Sequence, residues 1–161
     1  LMQTLDIKYL KADVAFGDMA QRHVHMLARE TLPELDYKAP VCIHHIDLIG
    51  LKGGKMSCSI PDSNIMINEE PEIIKLKIKN AICPPKQIKD NPILQICKYL
   101  IFPKVTSFKI ERDTKHGGDL ILDSYPSLED IYAKGELHPL DLKNSVSDYL
   151  IDILKPIRKA I

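Results

Sequence analysis

Apolar residues recur along the chain at two spacings, and each predicts a different element. Residues 12–17, Ala-Asp-Val-Ala-Phe-Gly, form a short apolar run closed by a glycine, the pattern of a buried strand entering a turn. Asp18 then stands at a helix N-cap position with Gln21 three residues on, close to capping-box spacing. Ala20, Val24, Leu27 and Ala28 follow at i, i+4, i+7 and i+8, a core-facing helical stripe that Pro33 ends. Gln21, Arg22, His25 and Arg29 lie off that stripe. Residues 41–46, Val-Cys-Ile-His-His-Ile, predict a second strand. Strand, helix, strand at this spacing predicts a βαβ unit and a parallel sheet with helices on its faces. Ligands of such sheets collect at the carboxyl ends of the strands, the edge to which Gly17, Gln21 and the loop over 50–59 are assigned.

The pattern changes after that loop. Asn68-Glu69-Glu70-Pro71-Glu72 is a helix start, with a cap, acidic residues for the helix dipole and proline in the first turn. Ile74, Ile78, Ala81 and Ile82 form the predicted apolar face, and Cys83-Pro84-Pro85 stops the helix. A further helix is expected from about Pro92 to Phe102. Residues 105–125 are β-like around the turn His116-Gly117-Gly118-Asp119, with Leu120, Ile121 and Leu122 leading away. A last helix begins at about Leu140 and places Leu142, Val146, Tyr149, Leu150 and Ile153 on one face, with Lys155, Arg158 and Lys159 at its C-terminal end. The expected organisation is therefore half an α/β domain (1–48), a loop and linker helix (49–82), and a small, mostly helical domain (83–161).

Composition narrows the functional classes only a little. An apolar content of 45% over 161 residues is enough to bury a core. Lysine plus arginine equals aspartate plus glutamate at 22 each, which argues against a bulk polybasic nucleic-acid binder but leaves a local positive groove open. The four cysteines show no paired framework, so reduced thiols in a cytoplasmic protein are expected. With no run of about 18 apolar residues and no charged-then-apolar leader, neither a membrane span nor a signal peptide is expected. The chain begins Leu1-Met2-Gln3 without a capping or polar lead-in and reads as though it starts within a larger fold. Cys42, His44, His45 and Cys58 match the spacing of no common zinc site, so no protein-bound metal is expected. The series Lys75, Lys77, Lys79, Lys86, Lys89 is either a solvated face or a phosphate-contacting stripe.

Candidate chemistry centres on Lys55-Met56-Ser57-Cys58-Ser59, set behind Gly53-Gly54. Taken alone, a lysine behind two glycines reads as a solvated loop tip as well as a phosphate clamp. The clamp has a clear rationale. When pyrophosphate leaves an α-phosphate, a positioned ammonium with hydroxyl donors stabilises the charge that develops, and glycines let the loop close over the nucleotide. The string resembles the KMSKS loop of class I aminoacyl-tRNA synthetases. Further segments, in order, resemble the archaeal/eukaryotic-type tyrosyl-tRNA synthetases: Leu10–Gly17, Gln21-Arg22, Met26–Glu30, Gly50-Leu51, Ala81–Pro84, Gly117-Gly118-Asp119, the run Glu136-Leu137-His138-Pro139-Leu140-Asp141-Leu142-Lys143-Asn144, and Pro156-Ile157-Arg158.

The resemblance implies a fold, an activity and a set of sites. The fold would be α/β: the second half of a Rossmann-like parallel-sheet catalytic domain followed by a mostly helical anticodon-binding domain. The activity would be activation of tyrosine with ATP, Mg2+ alongside it, and transfer to tRNA(Tyr). Gln3, Asp6 and Gln21 match the tyrosine-binding positions; Lys55, as the catalytic cation, with Ser57, Cys58 and Ser59 matches the ATP loop; Arg22, His116, His138 and Asp141 match the tRNA contacts. Two residues depart from the family. Cys58 stands where lysine or serine is usual, which would leave Lys55 as the loop's only cation on the pyrophosphate, and His116 stands where phenylalanine or tryptophan is usual. No His-x-Gly-His occurs, so the implied partners include an upstream N-terminal half carrying that motif, and the full-length protein would be a homodimer. A non-catalytic tRNA-binding or regulatory module derived from the same enzyme is the alternative. Pro61-x-Ser63 is reminiscent of the tryptophan-specific sister family, against which Asp6 and the run over 136–144 argue.

Overall fold

In the computed structural model, which describes residues 2–57 and 59–160, the chain divides into two compact units, Leu1–Asp47 and Leu48–Ile161. The first contains α1 (Met2–Tyr9), β1 (Val14–Asp18), α2 (Arg22–Thr31) and β2 (Val41–His45). The strands are parallel, with Val14 opposite Val41 and Asp18 opposite His45, so the βαβ expectation holds. Asp18 caps the 3₁₀ turn Met19–Gln21 that leads into α2, its carboxylate accepting the Gln21 amide at 2.9 Å. A small core of Ile7, Ala15, Ala28 and Leu32 lies between the sheet and the helices.

The buried face of α2 differs from the predicted one. His25 is buried, whereas Ala20 is exposed and Val24 and Leu27 are only half-buried. The inward line runs through His25, Ala28 and Leu32 because the imidazole finds a polar partner there, His44 of β2 (Nδ1 to Nε2, 3.0 Å). A satisfied histidine can occupy a position that periodicity reserves for apolar residues. The other sheet face carries Val14, Phe16, Val41 and Ile43, all about half exposed or more.

The second unit holds α3 (Pro71–Asn80), α4 (Pro92–Ile96), the hairpin of β3 (Phe108–Ile110) and β4 (Leu120–Leu122), α5 (Tyr125–Lys134) and α6 (Pro139–Ala160). Its core runs from Leu51 through Ile74, Ile78, Ile93, Phe108, Tyr132 and Val146. Ile74, Ile78 and Ala81 are buried as expected, but Ile82 is 40% exposed because α3 ends at Asn80 and the backbone turns extended at Ala81. The Ile82 amide instead donates to the Leu51 carbonyl at 2.7 Å, tying the helix end to the loop before it. Asn91 caps α4 by accepting from the Ile93 and Leu94 amides, and the helix continues as a π-turn over Cys97–Ile101. Helix α5 lies in a stretch whose first residues read as β-like. Ser124 caps it, a proline sits in its first turn, and Gly135 in a left-handed conformation ends it. Among the described residues, no helix is long and apolar enough to cross a membrane.

Candidate functional site

The glycine-rich loop is closed at its base by backbone bonds. The Gly50 amide donates to the Gly54 carbonyl at 3.0 Å, the Gly53 amide donates back to the Gly50 carbonyl, and Ile49 bridges Lys55 in antiparallel fashion. Gly53 and Gly54 sit at φ +84° and +68°, a left-handed pair that other residues adopt only with strain. Lys55 leaves this turn exposed to solvent. The base is fixed from outside, since the Gln95 carboxamide oxygen accepts the Ile49 amide at 2.8 Å.

Ser63 organises the far limb. Its side chain is fully buried; Oγ donates to the Ser57 carbonyl (2.6 Å) and accepts the Ser57 amide (3.2 Å), and its carbonyl accepts the Leu51 amide (2.8 Å). One hydroxyl thus does for Ser57 what a paired strand would do. The Ser57 hydroxyl accepts the Ser59 amide at 3.2 Å, and Ser59 is exposed. Cys58 lies outside the described residues.

In the first unit Gln3 and Asp6 share a face of α1 at i, i+3 spacing, both exposed. Gln21 ends the turn after β1, and Arg22 opens α2 with an exposed side chain. Gly17 lets Gln21 and His25 approach: a Cβ there would meet Gln21 Cβ at 3.1 Å and His25 Cε1 at 3.2 Å. Burial, then the facing His44, lower the His25 pKa below its ordinary 6.5, with Asp18 opposing them. The ring pair was not anticipated, because its partners come from different elements.

The second unit gathers other candidates around a cavity of about 520 Å3 lined by Lys86, Arg112, Leu137, His138 and Asp141, among others. His138 and Asp141 flank the start of α6, three residues apart. The Leu140 amide donates to His138 Nδ1 at 3.1 Å, so the neutral ring carries its proton on Nε2 and presents it as a donor. His116 closes a 3₁₀ turn over Thr114–His116 ahead of Gly117 and Gly118, at φ +93° and +73°; its side chain lies outside the described residues. Hydrogen bonds from Lys109 (2.9 Å) and from the Arg112 amide hold the Asp119 carboxyl below its usual range and close the base of this turn. Arg112 was not a sequence candidate, and nothing in its local sequence marks it. Among the described residues, no group of three or more His, Cys, Asp or Glu is placed to hold a metal ion.

Comparison with known proteins decides the family. The description "tRNA synthetases class I (W and Y)" fits residues 1–155 of the chain. The chain belongs to this family. A curated tyrosine–tRNA ligase from Methanococcus maripaludis is 52% identical over 160 residues, covering 99% of this chain and 49% of that protein. Two solved tyrosyl-tRNA synthetases, each complexed with L-tyrosine, share the fold. That of Archaeoglobus fulgidus superposes with a TM-score of 0.88 at 46% identity, over 98% of this chain and 49% of that one. That of Pyrococcus horikoshii gives 0.91 at 36%, over 99% and 50%. The chain spans about half the length of the curated relatives it matches. It has the α/β architecture of a class I synthetase, with helices and, among the described residues, two small sheets.

Proposed function

We propose that the chain supplies the C-terminal half of a tyrosine–tRNA ligase: part of the tyrosine pocket, the ATP loop, and the anticodon-reading domain. The reading rests above all on its likeness, along its whole length and at about half identity, to proteins named tyrosine–tRNA ligases. Domain roles follow the sequence division, with 1–48 completing a Rossmann-like catalytic domain, 49–82 carrying the loop and linker helix, and 83–161 reading the anticodon. The exposed apolar sheet face of Val14, Phe16, Val41 and Ile43 supports an upstream half, since parallel sheets bury both faces.

Each residue has a distinct task in this reading. Asp6 accepts the phenolic hydrogen of tyrosine, so phenylalanine, lacking it, leaves a carboxylate unpaired and is rejected. Gln3 and Gln21 hold the ammonium and carboxylate end through their amide groups. Lys55 neutralises charge passing to pyrophosphate, with Ser57 and Ser59 as hydroxyl donors and Mg2+ arriving with ATP. In the tRNA, Arg22 meets the acceptor end and His116 stacks on an anticodon base. Asp141 accepts N1–H and N2–H of a guanine together, beside the Nε2–H donor of His138.

The test joins this chain in frame to the N-terminal half of the Methanococcus maripaludis relative and measures tyrosine-dependent ATP–pyrophosphate exchange. The joined protein exchanges, Lys55→Ala abolishes the exchange, and the chain by itself shows none. Exchange by the 161-residue chain alone would refute the division of the site. If the joined protein binds tRNA(Tyr) and does not exchange, the chain is instead a non-catalytic tRNA-binding module.

A further inference from the structure

The cavity beside His138 is framed by a side chain to which the proposed chemistry gives no role. Arg112 lies just after β3, in the connection to β4, and is half-buried. Its Nε donates to the Gly118 carbonyl at 2.9 Å, and its Nη1 donates to the Glu136 carbonyl at 3.0 Å. Gly118 comes two residues after His116, and Glu136 two residues before His138. The backbone amide of Arg112 also donates to Asp119 Oδ1 at 3.4 Å, so the same residue grips the base of the turn it braces.

This arrangement suits arginine and no other residue. The guanidinium is a rigid planar fork whose N–H groups diverge, so one side chain can satisfy two carbonyls on separate segments and hold their spacing. Lysine offers one tetrahedral nitrogen on a flexible stem and sets no such spacing. The cation also meets two backbone oxygens, and hydrogen bonds from a charged donor are the stronger kind. Both side-chain bonds go to backbone carbonyls, which marks a brace rather than a phosphate contact.

We propose that Arg112 is a positioning residue for base reading, bridging the turn that carries His116 and the segment that carries His138 and Asp141 so that stacking and hydrogen bonding act on one base. The inference rests on the anticodon-reading role assigned above. Loss of the bridge leaves each segment folded, through Asp119 on one side and the start of α6 on the other, but frees them to move relative to one another. Base discrimination then falls while the attraction between the chain and any RNA persists.

The 161-residue chain is titrated by fluorescence anisotropy with anticodon stem-loops carrying guanine or adenine at the first anticodon position, across a salt series. Wild type prefers guanine by tenfold or more, and Asp141→Asn removes the preference. Arg112→Lys cuts the preference at least fivefold while leaving affinity for the adenine loop, the salt slope and the circular-dichroism spectrum unchanged. An unchanged preference in Arg112→Lys overturns the proposal. So does a drop of about one in the salt slope of Arg112→Gln with preference intact, since that identifies a phosphate contact. No preference in wild type removes the base-reading role of the cavity, and this inference with it; loss in Asp141→Asn but not in Arg112→Lys removes this inference alone. If Arg112→Lys fails to fold, the Nε–H resonance of wild-type Arg112 decides. Protection from exchange in free and RNA-bound chain supports the bridge, and exchange at the solvent rate overturns it.

Discussion

Replacing Ser63 by alanine tests whether one buried hydroxyl holds the far limb of the signature loop. The substitution removes two hydrogen bonds to Ser57, one at 2.6 Å to its carbonyl and one at 3.2 Å from its amide. The bond from the Leu51 amide to the Ser63 carbonyl is backbone only and survives. The lesion is thus confined to Ser57 and does not reverse the chain's course. A buried group left unpaired costs about 1–3 kcal/mol, and because Ser57 is half-buried, water repairs part of the loss; a total of about 1–3 kcal/mol is expected rather than twice that. At about 1.4 kcal/mol per tenfold, this is a rise of about 5- to 150-fold in the exchange rate of the Ser57 amide. Amide exchange followed by NMR reads it directly, with Ser59→Ala as the exposed control that changes stability by less than about 0.5 kcal/mol. In the joined enzyme the same variant raises the KM for ATP. An unaltered Ser57 exchange rate would refute the claim that Ser63 holds this limb.

Two further perturbations probe the first unit. Because the folded-state pKa of His25 is lowered from 6.5, the unfolded chain binds a proton that the folded chain resists. Stability is therefore full above about 6.5 and is lost as pH falls through the lowered folded value; thermal melts between pH 7.5 and 5 should show this slope, and His25→Gln should flatten it. Gly17→Ala inserts a methyl 3.1–3.2 Å from Gln21 and His25, which must give way. Overpacking of this kind costs about 1–3 kcal/mol, and in the joined enzyme it should raise the KM for tyrosine while leaving that for ATP alone.

Which parts of this were readable from the residues follows from how far each interaction reaches along the chain. The βαβ unit and the start of the last helix depend on spacing and caps within a few residues, and both were legible. The burial of His25 was not, because its partner His44 lies on another strand and a polar residue has no apolar period to betray it. Helix α5 carried its signals in plain view, Ser124 before and Gly135 after, but the apolar run Leu120–Leu122 drew the β-like reading past its start. His138 and Asp141 could be named as candidates from one contiguous run; Arg112 could not, since its two side-chain bonds reach carbonyls of segments it does not neighbour. The exposure of Gln3 and Asp6 says little by itself, and their assignment draws on the resemblance rather than on their surroundings.

Helix α6 has 22 residues and so runs about 33 Å. His138 and Asp141 stand at one end of it. Near the other, the Arg158 guanidinium donates to the Glu69 carbonyl at 3.1 Å and to the Ile151 carbonyl at 3.2 Å. Glu69 belongs to the stretch between the glycine-rich loop and α3, where its carboxylate pairs with Lys77. The helix is therefore a gauge rod whose length is part of the machine. Evolution could exchange most of its exposed residues freely, but adding or deleting one would turn everything beyond it by about 100° as well as shifting it by about 1.5 Å. Only changes near a whole turn would keep both ends facing their targets, so length variation among homologues should avoid this helix and gather in the loops around it.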